Sequence, residues 1–124
     1  MICYDVTNGE SKERINLDKV LKAFMPMTET AYYILLSLAE PRHGYGIILH
    51  VADITQGRIK LGSGTVYGTL TKLQNKGVIS IYSDEQRRTV YEITDIGKQL
   101  ILAEIERIKE LYTNGLRFEG DFHG

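Results

Sequence analysis

Apolar positions recur along this chain at helical spacing in five stretches and at strand spacing in two. Leu17, Val20, Leu21 and Phe24 fall at i, i+3, i+4 and i+7, which predicts a short helix over 16–24 with Asn16 as its cap. Pro26 ends it, because the residue before a proline avoids helical angles. Thr28 then offers a hydroxyl cap, with Glu29 where the helix dipole favours negative charge. The helix it opens has Ala31, Ile34, Leu35, Leu38 and Ala39 as its core stripe and stops at Pro41. HGYGIILHVADITQG predicts a third helix, with Tyr45, Ile48, Leu49 and Ala52 on one side and Gly57 as its C-terminal stop. Ser63 is placed as the cap of a fourth, GTVYGTLTKLQNK, closed by Gly77. Val66, Leu70 and Leu73 form its core face, while Gly64, Gly68, Thr71, Lys72 and Asn75 gather on the opposite side. VISIYS (Val78 to Ser83) and TVYEIT (Thr89 to Thr94) alternate apolar with polar residues, so they read as half-buried strands of a hairpin with DEQRR at its tip. Thr94 caps a long final helix in which Ile101, Ile105, Ile108 and Tyr112 form a 4, 3, 4 seam beside Leu100 and Leu111. Asn114-Gly115 reads as its end.

The order is three helices, a hairpin and a long helix, preceded by one extra short helix. That is a mainly α fold with a small β-hairpin, the layout of a winged helix-turn-helix. The division it implies is an N-terminal arm and short helix over 1–27, the winged unit over 28–94, and a dimerisation helix with its tail over 95–124. Residues 1–14 are polar without a sustained period and are expected to form a loosely held arm. A helix of this kind matches the major groove of B-DNA, about 12 Å wide.

Composition narrows this reading. The chain has 124 residues, enough for one domain, and is 43% hydrophobic and 25% charged, ordinary globular values. No apolar run approaches the ~20 residues that span a bilayer. MICYDVTNGESKER lacks the basic start and apolar stretch of a secretory signal, and a lone cysteine, Cys3, suits a reducing compartment; a cytoplasmic location is expected. With 15 basic and 16 acidic residues the net charge is −1, which excludes nucleic-acid binding by bulk charge. Charge is nonetheless uneven. Between Gln56 and Val90, Arg58, Lys60, Lys72, Lys76, Arg87 and Arg88 stand against Asp84 and Glu85, six against two, a net of +4; the rest has nine basic and 14 acidic residues, a net of −5. A polyanion would meet one attractive face on an otherwise repelling molecule.

TETAYYILLSLAEPRHGYGI, GTVYGTLTKLQNKGVI and RRTVYEITDIGKQLI, in that order over roughly Thr28 to Leu111, resemble the PadR family of bacterial and archaeal transcriptional regulators. The resemblance implies a homodimeric DNA-binding regulator, usually a repressor, dimerised through C-terminal helices. The single closing helix is similar to the family's short-tailed branch. The stretch before Thr28 is longer than the family's usual start.

With that frame, Ser63, Thr65, Tyr67, Thr71, Lys72 and Asn75 are candidate groove-side residues. Hydroxyls fix register on phosphates, and Asn75 or Lys72 reaches base edges. Tyr67 matches the family's recognition-helix tyrosine at the DNA backbone, the alternative being a ring packed beside Val66 and Leu70. Tyr45 is either core or a phosphate contact. Lys60 belongs to the basic segment, and Arg87 and Arg88 at the wing are candidate phosphate binders. Leu17, Leu21, Phe24, Leu100, Ile101, Ile105, Ile108, Leu111 and Tyr112 are the expected dimer interface, which would present two recognition helices to a palindromic operator. The family commonly answers to phenolic or other aromatic small molecules, and Phe24, Tyr32, Tyr33 and Tyr112 are candidate lining for such an effector. His43, His50, His123 and Cys3 lack metal-ligand spacing, and Gly62, Gly64 and Gly68 form no phosphate loop, so neither a metal, a cofactor nor an enzymatic activity is expected. The alternative function is a winged-helix protein-interaction module that has lost DNA binding.

Overall fold

A computed structural model describes residues 16–85 and 88–124. The expected arm over 1–14, Cys3 within it, and Arg87 lie outside the described residues. Helix α1 occupies 16–24 and turns at Met25-Pro26 into α2 (Glu29–Leu36), which tightens into a 3-10 turn over Ser37–Ala39. A two-residue strand β1 (Arg42–His43) leads into α3 (Gly44–Ile54), then α4 (Ser63–Asn75), β2 (Ile79–Glu85), β3 (Arg88–Ile93) and α5 (Asp95–Phe118), which ends in a 3-10 turn over Glu119–Phe122. The sheet is antiparallel in the order β1-β3-β2. Val20, Phe24, Met27, Ile34, Leu35, Ile47, Val51, Val66, Leu70, Leu73, Val78, Ile79 and Leu100 form one continuous core.

Side-chain caps set most helix starts. The Thr28 hydroxyl accepts from the Ala31 N–H at 3.1 Å, and His43 Nδ1 accepts from the Gly46 N–H at 3.0 Å. Thr94 takes the Gly97 N–H at 3.1 Å, while its own N–H donates to the Val78 carbonyl at 3.0 Å. Gly77, at φ +77°, reverses the chain after α4, and the Val78 N–H closes back on the Leu73 carbonyl at 2.9 Å. Gly97 packs so tightly that a Cβ there would run into the Val78 carbonyl and the Ile93 side chain.

Several expectations change. The inward face of α3 is Gly44, Ile47 and Val51, whereas Tyr45 and Leu49 are exposed and Ile48 and Ala52 half-buried. Ile47, Ile48 and Leu49 are consecutive, so the apolar pattern left the helix free to rotate about its axis. Gly62, not Ser63, is the cap residue of α4, without a side-chain bond. Helix α2 ends at Leu36, and the 3-10 turn leaves Ala39 exposed. β1 adds a third strand, too short to show a period, in register with Tyr91 and Val90. Ile79 is buried and Ile81 exposed, and beyond Ile81 a register irregularity interrupts the ladder before Ser83. Asn114-Gly115 does not end α5: Gly115 keeps helical geometry, since an isolated glycine weakens a helix by about 1 kcal/mol but stops it only in a left-handed turn.

One buried charge fixes the turn between α1 and α2 to α5. The side chain of Glu104 is fully enclosed, accepts the Met27 N–H at 3.0 Å and binds Arg107 through two contacts of 2.6 and 2.9 Å. The Arg107 hydrogen bonds hold its carboxyl below the ordinary 4.5, with the Met27 N–H helping and burial opposing. A folded-state pKa below the unfolded one gives stability that is complete above about 4.5 and drains as pH falls through the folded value. Glu104→Gln should therefore cost about 1–2 kcal/mol near pH 7. It should also flatten the acid side of the stability curve, as read by thermal unfolding between pH 3 and 7.

Candidate nucleic-acid interface

Helix α4 is amphipathic in an unusual sense: Val66, Leu70 and Leu73 are buried, and its outer face is built from short residues, Gly64, Gly68, Thr71 and Asn75, all exposed. A backbone so lightly clothed can approach another surface closely. The Thr71 hydroxyl donates to the Tyr67 carbonyl at 2.9 Å, so it turns lone pairs outward. Ser63 and Thr65 are exposed in the first turn, and Lys60 is exposed on the loop that enters the helix.

The two flanks of α4 differ. On one, the Tyr67 ring lies against Gly44, where a Cβ would come within 2.5 Å of its Cζ and hydroxyl. Glycine at position 44 is what lets Tyr67 sit there. His43 and Tyr45 stack in parallel beside it, their ring centroids 6.5 Å apart, and Arg88 arrives from β3 with Nη1 3.4 Å from His43 Nε2. His43, Tyr45, Tyr67, Arg88 and Thr89 line an open cleft of about 380 Å³. Tyr45 and Tyr67, at 59% and 46% exposure, are thus surface rather than core residues. On the other flank Lys72 Nζ lies 5.5 Å from the centre of the Phe24 ring, a cation–π contact with α1. Below it, Asn16 and Lys19 of α1 share a cleft of about 420 Å³ with Asn75 and Lys76.

The structure therefore gathers Tyr45, Tyr67 and Arg88 in one cleft, sets Thr71 and Asn75 on the outer face, and turns Lys72 toward α1. Two features alter the charge inferred from sequence. Arg58 is held by Glu29 through two 3.1 Å contacts, whose hydrogen bonds lower the Glu29 pKa and raise that of Arg58, so it adds little to a free basic face. Lys19 enters from outside the basic segment. Sequence reasoning counted Lys76 in the basic segment but passed over His43, Thr89 and Lys19 as site residues. For His43, the clue was the HGYG string itself, since a capping side chain must point across the helix start.

A second exposed region lies at the far end of α5. Ile108, Leu111, Tyr112, Leu116 and Phe122 are exposed, and with Gly115, Glu119 and His123 they line a mainly apolar hollow of about 710 Å³. Among the residues expected at an interface, Phe24 and Leu100 are buried in the protomer's own core, and Leu17, Leu21, Ile101 and Ile105 are half-buried. Phe24 is core, and Tyr32 and Tyr33 are half-buried against the core and edge to face with each other, which leaves Tyr112 alone of the four aromatic candidates on the hollow. His50 is accounted for by Ser37: that hydroxyl donates to the Tyr33 carbonyl at 2.8 Å, so His50 Nδ1–H donates to it at 2.8 Å. Among the described residues no His, Cys, Asp and Glu side chains group as a metal site, and no helix is long and apolar enough to cross a membrane.

The model of the transcriptional regulator PadR-like family matches residues 32–103. The transcriptional regulator YqjI of Escherichia coli is 30% identical over 67 residues, 54% of this chain and 32% of that protein. An uncharacterized 37.1 kDa protein in a transposon of Streptomyces fradiae is 27% identical over 88 residues, 70% of this chain and 25% of that one. The chain spans a quarter to a third of the length of these curated relatives. Among solved structures, a PadR family transcription regulator from Clostridium difficile superposes with a TM-score of 0.56 at 21% identity, covering 71% of this chain and 95% of that one. RosR of H. salinarum gives 0.58 at 19%, covering 75% and 96%, and MepR, a transcription regulator of the Staphylococcus aureus efflux pump MepA, gives 0.61 at 19%, covering 94% and 83%. At these identities the shared property is the winged-helix fold.

Because the atoms a Cβ at position 44 would meet are the far end of the half-exposed Tyr67 ring, Gly44→Ala should change stability by no more than about 1 kcal/mol. It should instead displace the ring from the cleft, seen as a change in the Tyr67 ring proton resonances.

Proposed function

The chain belongs to the PadR-like family of transcriptional regulators, proteins that regulate transcription rather than catalyse reactions, and from that premise we propose that it works as a homodimeric repressor. Each protomer lays the outer face of α4 into the major groove of a palindromic operator in the cytoplasm. The observation that carries this reading is the outer face of α4: short, polar and exposed, with Tyr45, Tyr67 and Arg88 convergent along one flank. Ser63, Thr65, Tyr45 and Tyr67 bond phosphate oxygens and set the register, as do Lys60 and the wing arginines Arg87 and Arg88. Asn75 on the outer face reads a base edge, with Thr71 beside it, and Lys72 adds charge from the α1 flank.

The dimer forms through α5. Ile108, Leu111, Tyr112 and Leu116 present more apolar surface than a lone helix leaves in water, and a twofold axis there would bury the same patch from both copies. Half-sites one helical turn apart, about 34–36 Å, are the matching operator geometry. A small aromatic effector has room beside Tyr112 in the hollow, where it would shift the crossing of the two α5 helices and release the operator.

Titration of a duplex from upstream of the chain's own reading frame tests this, with random duplex as competitor. A dimer contacting about 6–10 phosphates loses on the order of 10³–10⁵ in affinity between 50 and 200 mM salt. Arg88→Ala should weaken binding to all sequences and lower the salt slope by about one for each phosphate contact removed. Absence of binding at low salt would move the assignment to a protein-interaction module. Ile108→Glu with Leu111→Glu should halve the mass in sedimentation and abolish tight operator binding while leaving the winged unit folded.

A further inference from the structure

The cleft beside Tyr67 contains a mismatch of hydrogen-bonding groups. His43 Nδ1 caps α3 by accepting the Gly46 backbone N–H at 3.0 Å. A backbone N–H only donates, so Nδ1 carries the lone pair and the ring proton resides on Nε2. Nε2 in turn faces Arg88 Nη1 at 3.4 Å, and a guanidinium has no acceptor. Two donors thus point at each other across one wall of an open cleft. Protonating His43 fully does not relieve this, since it would break the helix cap and place two cations together. Ion pairs among the described side chains engage Arg42, Arg58, Arg107 and Lys109. Thr89, on the same wall, donates its hydroxyl to Asp84 Oδ1 at 3.2 Å. What satisfies two convergent donors is a group with several outward lone pairs and negative charge.

We propose that His43 Nε2–H and Arg88, with the Tyr67 hydroxyl, form an oxyanion pocket that seats one backbone phosphate of bound duplex DNA. The proposal rests on the DNA-binding reading for the source of that phosphate, and on the donor geometry alone for the pocket. The parallel stack of Tyr45 on His43 fixes the plane of the imidazole, so its N–H is aimed before any ligand arrives. The pocket lies on the wing flank of α4, where a helix seated in the major groove meets the strand bordering it. His43 therefore has two roles split between its nitrogens: Nδ1 starts α3, and Nε2 faces the ligand.

That split supplies the test. In His43→Asn the amide oxygen can take the place of Nδ1 as a cap, whereas nothing replaces Nε2–H. Melting temperature should be nearly unchanged and affinity for duplex at 50 mM salt should fall about tenfold, with the salt slope unmoved because the lost donor is neutral, whereas Arg88→Gln should lower the slope by about one per protomer. In an Arg88→Gln background the same substitution should add little, because the two donors serve one ligand. Unaltered affinity in His43→Asn would overturn the proposal. Inorganic phosphate, titrated at constant ionic strength and followed by the His43 ring nitrogen resonances, separates the pocket from the DNA reading. A shift present in the parent and absent in Arg88→Gln supports an anion pocket even if no duplex binds. Resonances unmoved by phosphate in a parent that also fails to bind duplex would refute it.

Discussion

At the foot of the hairpin, four chain segments meet with no room for a side chain. The carbonyl of Val78 receives the Thr94 N–H, the Thr94 hydroxyl stands 2.9 Å away, and the first turn of α5 passes so close that only glycine is possible at position 97. The same Thr94 oxygen caps α5, and the Val78 N–H closes the end of α4. One node therefore sets the angles between α4, the wing and α5. Relieving it by a side chain at Gly97 would loosen the three elements from one another while leaving each intact. The winged unit and its long helix are a single body because this contact admits no slack.

Around that node the sequence was readable wherever a residue type leaves one option. Thr28 and Thr94 could be recognised as caps, Gly77 as a reversal, and Val66, Leu70 and Leu73 as the buried stripe of α4, because each follows from local chemistry. Local chemistry did not determine the phase of α3. Ile47, Ile48 and Leu49 are equally apolar, and which of them is buried depends on how α3 packs against the rest of the core, with Gly44 under the Tyr67 ring, a contact between residues 23 positions apart. The end of α5 was missed for the opposite reason. Gly115 carries a local stop signal, yet no left-handed turn follows it.

The candidate site divides the same way. Residue types at its centre were evident, and the pairings that adjust it were not. Glu29 claims Arg58 from 29 residues away, Phe24 draws Lys72 toward α1, and Lys19 joins the rim from a helix outside the winged unit. Each pairing depends on how separate helices pack, which no window of sequence contains. His43 is the sharpest instance, because one ring serves both local and tertiary purposes. Its capping nitrogen belongs to the helix start, and its other nitrogen meets a strand 45 residues later.

Glu104 has a mechanical consequence. It anchors the turn between α1 and α2 at a point nine residues into α5 and 14 short of its end, about 14 Å and 21 Å along the axis. The close contact at the hairpin foot and the buried carboxylate are two separate attachments on one rod, and two points fix a direction. The apolar turns beyond them are therefore carried at a set angle to α4.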